Sequence, residues 1–198
     1  IIDSNAASTT QVLFREILSA NIDIDKNIAN CLMTGLITDT GRFQYSNTDN
    51  EVFEIASKLM LSGAELTSIS DNIYGSIPMN AIKLQSEVLN RIELHENEEL
   101  VVSYVLQEDY LNYNIESSET DFLIDSIRLV KESSVALLLK EQQDKSFKGS
   151  LRSRNELDVQ QIASIFGGGG HKAASGFSTN LSMEEIKNKV KNAIKSQI

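Results

Sequence analysis

The sequence predicts an α/β protein. Apolar runs of strand length stand at Leu100-Val101-Val102-Ser103-Tyr104-Val105-Leu106, at Val135-Ala136-Leu137-Leu138-Leu139 and over 147–153. Segments with apolar residues at helical spacing lie before, between and after them. Helices therefore alternate with strands, and the texture shifts near Glu99 from mostly helical to mixed.

In chain order, Ser8-Thr9-Thr10-Gln11 has the spacing of a capping box. The helix after it carries Val12, Leu13, Ile17 and Leu18. A second helix starts near Asp25, uses Ile28, Ala29, Leu32 and Met33, and is expected to end at Gly35. Leu36-Ile37-Thr38 then reads as a short buried strand that delivers Asp39 at its C-terminal end. Thr48-Asp49-Asn50-Glu51 opens a helix with Val52, Phe53, Ile55, Ala56, Leu59 and Met60, and Gly63 fits its C-cap. A shorter helix covers 64–74. Gly75-Ser76-Ile77-Pro78 ends the block with the only proline in the chain. A helix over 79–92 is expected to bridge two domains.

Beyond the first strand, a helix is expected over 120–129. The third strand runs to Ser153, and an amphipathic run leads from Val159 to Phe166. Four consecutive glycines and a small-residue strand over 173–177 follow. Ser182-Met183-Glu184-Glu185 caps a last helix with Ile186, Val190 and Ile194 on one face.

Length and composition narrow the function. The chain has 198 residues, 41% hydrophobic and 23% charged, which suits one large or two small globular domains. Its formal net charge is −10, so a broad basic face for long nucleic acid is not expected. A small phosphorylated ligand held by a few focused cations fits that charge. No apolar run is long enough to cross a bilayer. Ile1-Ile2-Asp3-Ser4 has neither the basic nor the apolar region of a signal peptide. The single cysteine, Cys31, excludes a disulfide within the chain and suits a reducing compartment. It is expected to be a small buried hydrophobe.

Four features could carry chemistry. Gly167-Gly168-Gly169-Gly170 offers backbone N–H groups with no Cβ in the way, as an anion nest requires; the alternative is a flexible linker. His171, directly after it, is either exposed and idle or within reach of a bound phosphate. Arg152 and Arg154 are two residues apart, hence on one strand face, where they would fork a phosphate or simply be hydrated. Ser153 between them could add a hydroxyl donor. Asp39 before Thr40-Gly41 could be a ligand-binding carboxylate or a turn former.

Gly167-Gly168-Gly169-Gly170-His171-Lys172-Ala173-Ala174-Ser175-Gly176 resembles the signature of the DHH-associated domain. That domain is the C-terminal half of the DHH phosphoesterase superfamily. The branch it most resembles is the oligoribonuclease and 3′-phosphoadenosine-5′-phosphate phosphatase group, also described as exopolyphosphatase-related. Ile37-Thr38-Asp39-Thr40-Gly41-Arg42-Phe43 resembles the fourth motif of the catalytic domain. Ser150-Leu151-Arg152-Ser153-Arg154 resembles the arginine strand that faces the glycine loop.

The resemblance implies a division into the C-terminal portion of a DHH catalytic domain (1–77), a linker helix (78–95) and a smaller α/β DHH-associated substrate-binding domain (96–198). It implies that Asp39 is catalytic as a ligand of one of two manganese ions, with magnesium as an alternative. It implies that Arg152, Ser153, Arg154, Gly168, Gly169, Gly170 and His171 bind substrate phosphate. The substrates implied are short RNA oligonucleotides or phosphorylated nucleotides, handled in the cytoplasm, with no membrane and with a homodimer allowed. The family's other metal ligands, including the Asp-His-His triplet, have no match here, and the first residue is not Met. The expectation is a fragment that is inactive alone. The rivals are a pyrophosphatase or exopolyphosphatase, and a nucleotide-binding module without catalysis.

Overall fold

All regular structure in the first of two units, Ile1–Ser76, is helical. The computed structural model describes residues 1–154 and 156–197. Helix α1 (Thr9–Ser19) is capped by Ser8, whose Oγ accepts from the Gln11 N–H at 3.1 Å. Gln11 does not close a reciprocal box on Ser8; its Oε1 accepts from the Ala7 N–H at 2.7 Å. Helix α2 (Lys26–Asp39) is capped by Asp25, and α3 (Asn50–Leu61) by Asp49 rather than Thr48. Helix α4 (Leu66–Ser70) runs into a π-helical turn at Asp71–Gly75. Phe14, Leu32, Met33, Leu36, Val52 and Leu59 form the core of this unit.

The strand expected at Leu36-Ile37-Thr38 is instead the last turn of α2. Gly35 does not end the helix. It sits where α1 crosses, and a Cβ there would come within 2.3 Å of Thr10 Cγ2. Leu36 and Ile37 are buried because they continue the stripe of Leu32 and Met33 at helical spacing. A three-residue apolar run cannot distinguish a strand from the inner face of a helix. Cys31 lies on the outer face of α2 and is exposed, not buried as expected. The buried stripe takes its neighbours Ala29, Leu32 and Met33.

The second unit, Ile77–Ile198, holds the sheet. Its elements are α5 (Met79–Asn90), β1 (Glu93–His95), β2 (Leu100–Val105), α6 (Gln107–Tyr113), α7 (Leu123–Ile127), β3 (Val135–Glu141), β4 (Phe147–Ser153), α8 (Val159–Ser164), β5 (Gly169–His171), β6 (Ala174–Thr179) and α9 (Met183–Lys195). The strand order is β1-β2-β3-β4-β6-β5. Among the described residues only β2 and β3 pair in parallel, and α6 and α7 lie on the connection that this pairing requires. Helix α7 is shorter than the 120–129 expected, because the chain enters it from a 3₁₀ turn at Ser117–Thr120.

Each face of the sheet has its own core. Leu100, Val102, Leu137, Leu139, Phe147, Leu151 and Phe177 pack against α8 and α9. Val101, Val105, Ala136 and Leu138 pack on the other face with Ala81, Leu84 and Val88 of α5, Tyr110 of α6 and Ile124 and Ile127 of α7. Helix α5 is therefore part of this core. Glu98 is buried and accepts Lys195 at 2.8 Å, and Glu99 takes the left-handed conformation at φ +46°.

Asp109 anchors the start of α6. It accepts from Arg91 Nη1 at 2.5 Å and Nη2 at 2.9 Å, and from the Leu106 N–H at 2.7 Å. Burial pushes its carboxyl up, but the Arg91 hydrogen bonds, the Leu106 amide and the guanidinium charge outweigh it, so it lies below the usual carboxylate range. A carboxyl depressed in the folded state stabilises the fold fully above its unfolded pKa of about 3.9 and loses that contribution as pH falls through the folded value. Asp109→Asn should cost about 2 kcal/mol near neutral pH, as expected for losing charge-assisted hydrogen bonds. Urea unfolding at pH 7 and pH 3 checks this, since the difference between variant and wild type should shrink in acid. A difference independent of pH would refute the ion-pair account.

Candidate functional site: an open half of the sheet face

Strand β4 has an unbroken register with both neighbours, so its residues alternate strictly. Phe147, Gly149 and Leu151 face the α8/α9 core, and Lys148, Ser150 and Arg152 face the other way. On that second face the helices of the unit pack over β2 and β3. Helix α7 also comes against β4 there, but the core of this second face takes no residue from β4, β6 or β5.

Three cross-strand rows pave this open part. His171 of β5 is opposite Ala174 of β6, which is opposite Arg152 of β4. In the next row stand Gly169, Gly176 and Ser150. In the third, Ser178 is opposite Lys148. Residues directly opposite share a face, so Arg152 and His171 flank one trough two strand spacings wide, roughly 10 Å. Its floor is Ala174 and Gly176, both small and half-buried.

Arg152 is half-buried; its Nη1 donates to the Leu151 carbonyl at 3.0 Å, and no carboxylate among the described residues pairs with it. His171 is exposed, and its carbonyl accepts from Ser175 Oγ at 2.7 Å. The trough thus presents a guanidinium and an imidazole with no acid between them, on a chain whose acids outnumber its bases.

The glycine run is not one nest. Gly167 takes φ +74°, and its N–H donates to the Ser164 carbonyl at 3.0 Å. The Gly168 N–H donates to Ala163 O at 3.0 Å, which completes the hydrogen bonding of a Schellman cap on α8. The Gly168 amide is therefore engaged within the chain and does not face an anion. A Cβ on Gly168 would lie 2.2 Å from Gly176 O and 2.6 Å from Phe177 Cβ. Gly169 and Gly170 belong to an edge strand, so this part of the run is neither a free linker nor a nest. An edge strand leaves every second N–H facing outward, so these glycines can still offer amide hydrogen to a ligand. Gly169 has open space where a Cβ would be, whereas Gly170, at φ +143°, is crowded by Ala174 O at 2.6 Å. Beneath the run Phe166 stacks on Phe177 with centroids 4.1 Å apart.

Two expected contacts move elsewhere. Ser153 points to the face opposite Arg152, and its hydroxyl donates to Lys172 O at 3.3 Å. The hydroxyl on the Arg152 face is that of Ser150. Arg154 lies just past β4, where its guanidinium donates to the carbonyls of Arg128 and Val130 at the end of α7. Its fork is taken up by backbone. Ser150 and Lys148 share the face of Arg152, as steps of two back along the strand imply.

Asp39 lies in the first unit as the last residue of α2, exposed, with its carbonyl accepting from Asn47 Nδ2 at 3.1 Å. It does not end a strand. A carboxylate at a helix C-terminus is electrostatically unfavourable, because the macrodipole is negative there. The loop after it is strained: Gly41, Arg42 and Phe43 take φ of +53°, +62° and +64° in succession. Thr40 Oγ1 ties it by donating to Leu36 O at 2.6 Å and accepting from the Phe43 N–H at 3.2 Å. Phe43 stacks on Phe53, and Arg42 sits over the Tyr74 ring at 4.6 Å. Among the described residues no group of three or more His, Cys, Asp or Glu could hold a metal ion, so the residues present do not by themselves fit the expected pair of manganese ions.

The family model of the DHHA1 domain matches residues 97–196. The chain belongs to the DHHA1 family, in the DHH superfamily. It is 30% identical over 199 residues to a bifunctional oligoribonuclease and PAP phosphatase of Thermus thermophilus, covering 100% of this chain and 59% of that protein. A solved structure of an exopolyphosphatase-related protein from Bacteroides fragilis is 26% identical, with a TM-score of 0.91 over 99% of this chain and 58% of the other. An A-adding tRNA nucleotidyltransferase of Aquifex aeolicus is 27% identical over 98% of this chain but only 23% of its own length. The chain thus spans under two thirds of each relative. The trough, with its arginine strand and glycine strand, lies wholly inside the DHHA1 domain. No helix among the described residues is long and apolar enough to cross a membrane.

Proposed function

We propose that the chain is part of a phosphoesterase that acts on short oligoribonucleotides or 3′-phosphoadenosine-5′-phosphate, and that its DHHA1 domain holds the phosphate that is not cleaved. The observation that carries this is the cross-strand row His171–Ala174–Arg152: two groups suited to an anion, on one face, over a floor too small to obstruct it. The Thermus relative, named for both activities, supports the choice of substrates. Such substrates belong to the cytoplasm. In this reading residues 1–77 are the C-terminal portion of the catalytic domain, and Asp39 is one ligand of a manganese site whose other ligands lie outside these 198 residues. The unfavourable place of Asp39 at a helix C-terminus and the strained loop after it support a role beyond folding.

Hydrolysis of a dinucleotide, of 3′-phosphoadenosine-5′-phosphate and of pyrophosphate by the whole protein tests this. The first two should be cleaved, and Asp39→Asn should lower kcat on both while leaving the fold intact. A preference for pyrophosphate would favour the polyphosphatase alternative, and full activity of Asp39→Asn would return that residue to a turn former.

A second reading has its own observation. The same module recurs in a protein named as a nucleotidyltransferase, where it is a small part of the chain. A binding role without hydrolysis fits that context. Calorimetry of the 198-residue chain with adenosine 3′,5′-bisphosphate, with and without manganese, separates binding from turnover.

A further inference from the structure

The trough does not end at Arg152. Four residues back along the same face of β4 stands Lys148, exposed, with exposed Ser178 opposite it on β6. Its neighbour on the other side is Lys140 of β3. Like charges placed directly opposite on a sheet are unfavourable. Lys140 resolves its own charge by turning inward, where its Nζ reaches Asp121 at 2.6 Å and its residue is 1% exposed. Lys148 has no carboxylate partner among the described residues, although acids outnumber bases 28 to 18 in this chain. Among the described residues Lys83, Lys131, Lys189 and Lys191 also lack an ion pair, so what sets Lys148 apart is its place in line with Arg152 on β4.

From these positions we infer that Lys148 and Ser178 form a second phosphate subsite, which takes the second backbone phosphate beyond the one at Arg152 when an oligonucleotide strand lies along β4. This rests on the phosphoesterase reading and extends it to substrate length. Arg152 and Lys148 are four residues apart, about 13 Å along the strand. A single ribose with its two phosphates crosses one row and not two. The Gly169–Gly176–Ser150 row between them has no large side chain, so a nucleoside can lie over it. Lys148 therefore contacts a trinucleotide or longer strand and does not reach a nucleoside bisphosphate.

The experiment compares Lys148→Ala, Lys148→Arg and the unaltered whole protein on 3′-phosphoadenosine-5′-phosphate and on di-, tri- and tetranucleotides. The expected result is a KM about tenfold higher for the tri- and tetranucleotides in the Ala variant, the size of one phosphate contact. The bisphosphate KM should not change, kcat should hold, and Lys148→Arg should restore the longer substrates. The salt dependence of trinucleotide affinity should also weaken by about one phosphate contact. Equal effects on the bisphosphate and the oligonucleotides, or none on either, would overturn the inference. Binding of the same ligands is measured by calorimetry in parallel. If the unaltered protein binds but cleaves none of them, the hydrolase reading fails, while selective loss of trinucleotide binding in Lys148→Ala would still uphold the subsite.

Discussion

Arg152→Ala in the whole protein should raise KM for a substrate with a non-scissile terminal phosphate about tenfold to a hundredfold, and leave kcat nearly unchanged. The guanidinium is half-buried beside a floor of Ala174 and Gly176, with no acid among the described residues to engage it. Losing one charge-assisted hydrogen bond costs roughly 1.5–3 kcal/mol, which is about one to two powers of ten in affinity. A contact that persists unchanged into the transition state appears in KM, not in kcat. His171→Ala should act in the same direction, because His171 faces Arg152 across the same row. If both hold one phosphate, the double variant should be less than additive. The decisive comparison is a substrate pair with and without the terminal phosphate. Each variant should lose the preference for the first. Equal losses on both substrates would remove the clamp and leave the glycines to packing alone. Arg154→Ala is the internal control. Its guanidinium is spent on the carbonyls of Arg128 and Val130, so it should lower stability and not substrate preference.

Gly168→Ala and Gly169→Ala should separate sharply, though the residues are adjacent and identical. A Cβ at Gly168 meets Gly176 O at 2.2 Å, Phe177 Cβ at 2.6 Å and Phe177 Cα at 2.8 Å. Two of these are backbone atoms that cannot rotate away, so β6 must shift. Overpacking of this kind costs about 1–3 kcal/mol, and the backbone contacts place Gly168→Ala near about 3 kcal/mol. A Cβ at Gly169 meets nothing within 4 Å, and no left-handed φ is required there. Gly169→Ala should therefore leave the unfolding midpoint unchanged or slightly raised, since alanine restricts the unfolded chain. It should weaken binding of the phosphorylated substrate, because the methyl group stands where the ligand would approach β5. Urea unfolding and substrate KM, measured on both variants, check the two halves. Coincident unfolding curves would mean that Gly168 is not the packing point between α8 and β6.

Much of this was legible before the fold. The strand 147–153 matches β4 residue for residue, because alternation of buried and open positions between two turns admits one register. The glycine run, the arginine strand and their order mark the DHHA1 domain. What remained hidden depends on where a backbone is, not on which residue it carries. Leu36 and Ile37 looked like a strand because three apolar residues have no period; the crossing of α1 at Gly35 shows that they are helix. Four glycines looked alike in the sequence. Only the structure divides them into two that cap α8 and two that form the edge strand.

The sequence by itself determined the composition of the candidate site: an arginine strand, a glycine run and a histidine after it, with no match to the family's other metal-ligand motifs. The tertiary structure decided which of those groups share a surface. Alternation along β4 turns Ser153 away and brings in Ser150 and Lys148, and a strand end lets Arg154 bind carbonyls instead of a ligand. Pairing of β5 with β6 sets His171 on the row of Arg152, although the two are distant in the chain. That alignment is a matter of register between strands, which local residue chemistry does not encode and which only the packed sheet imposes.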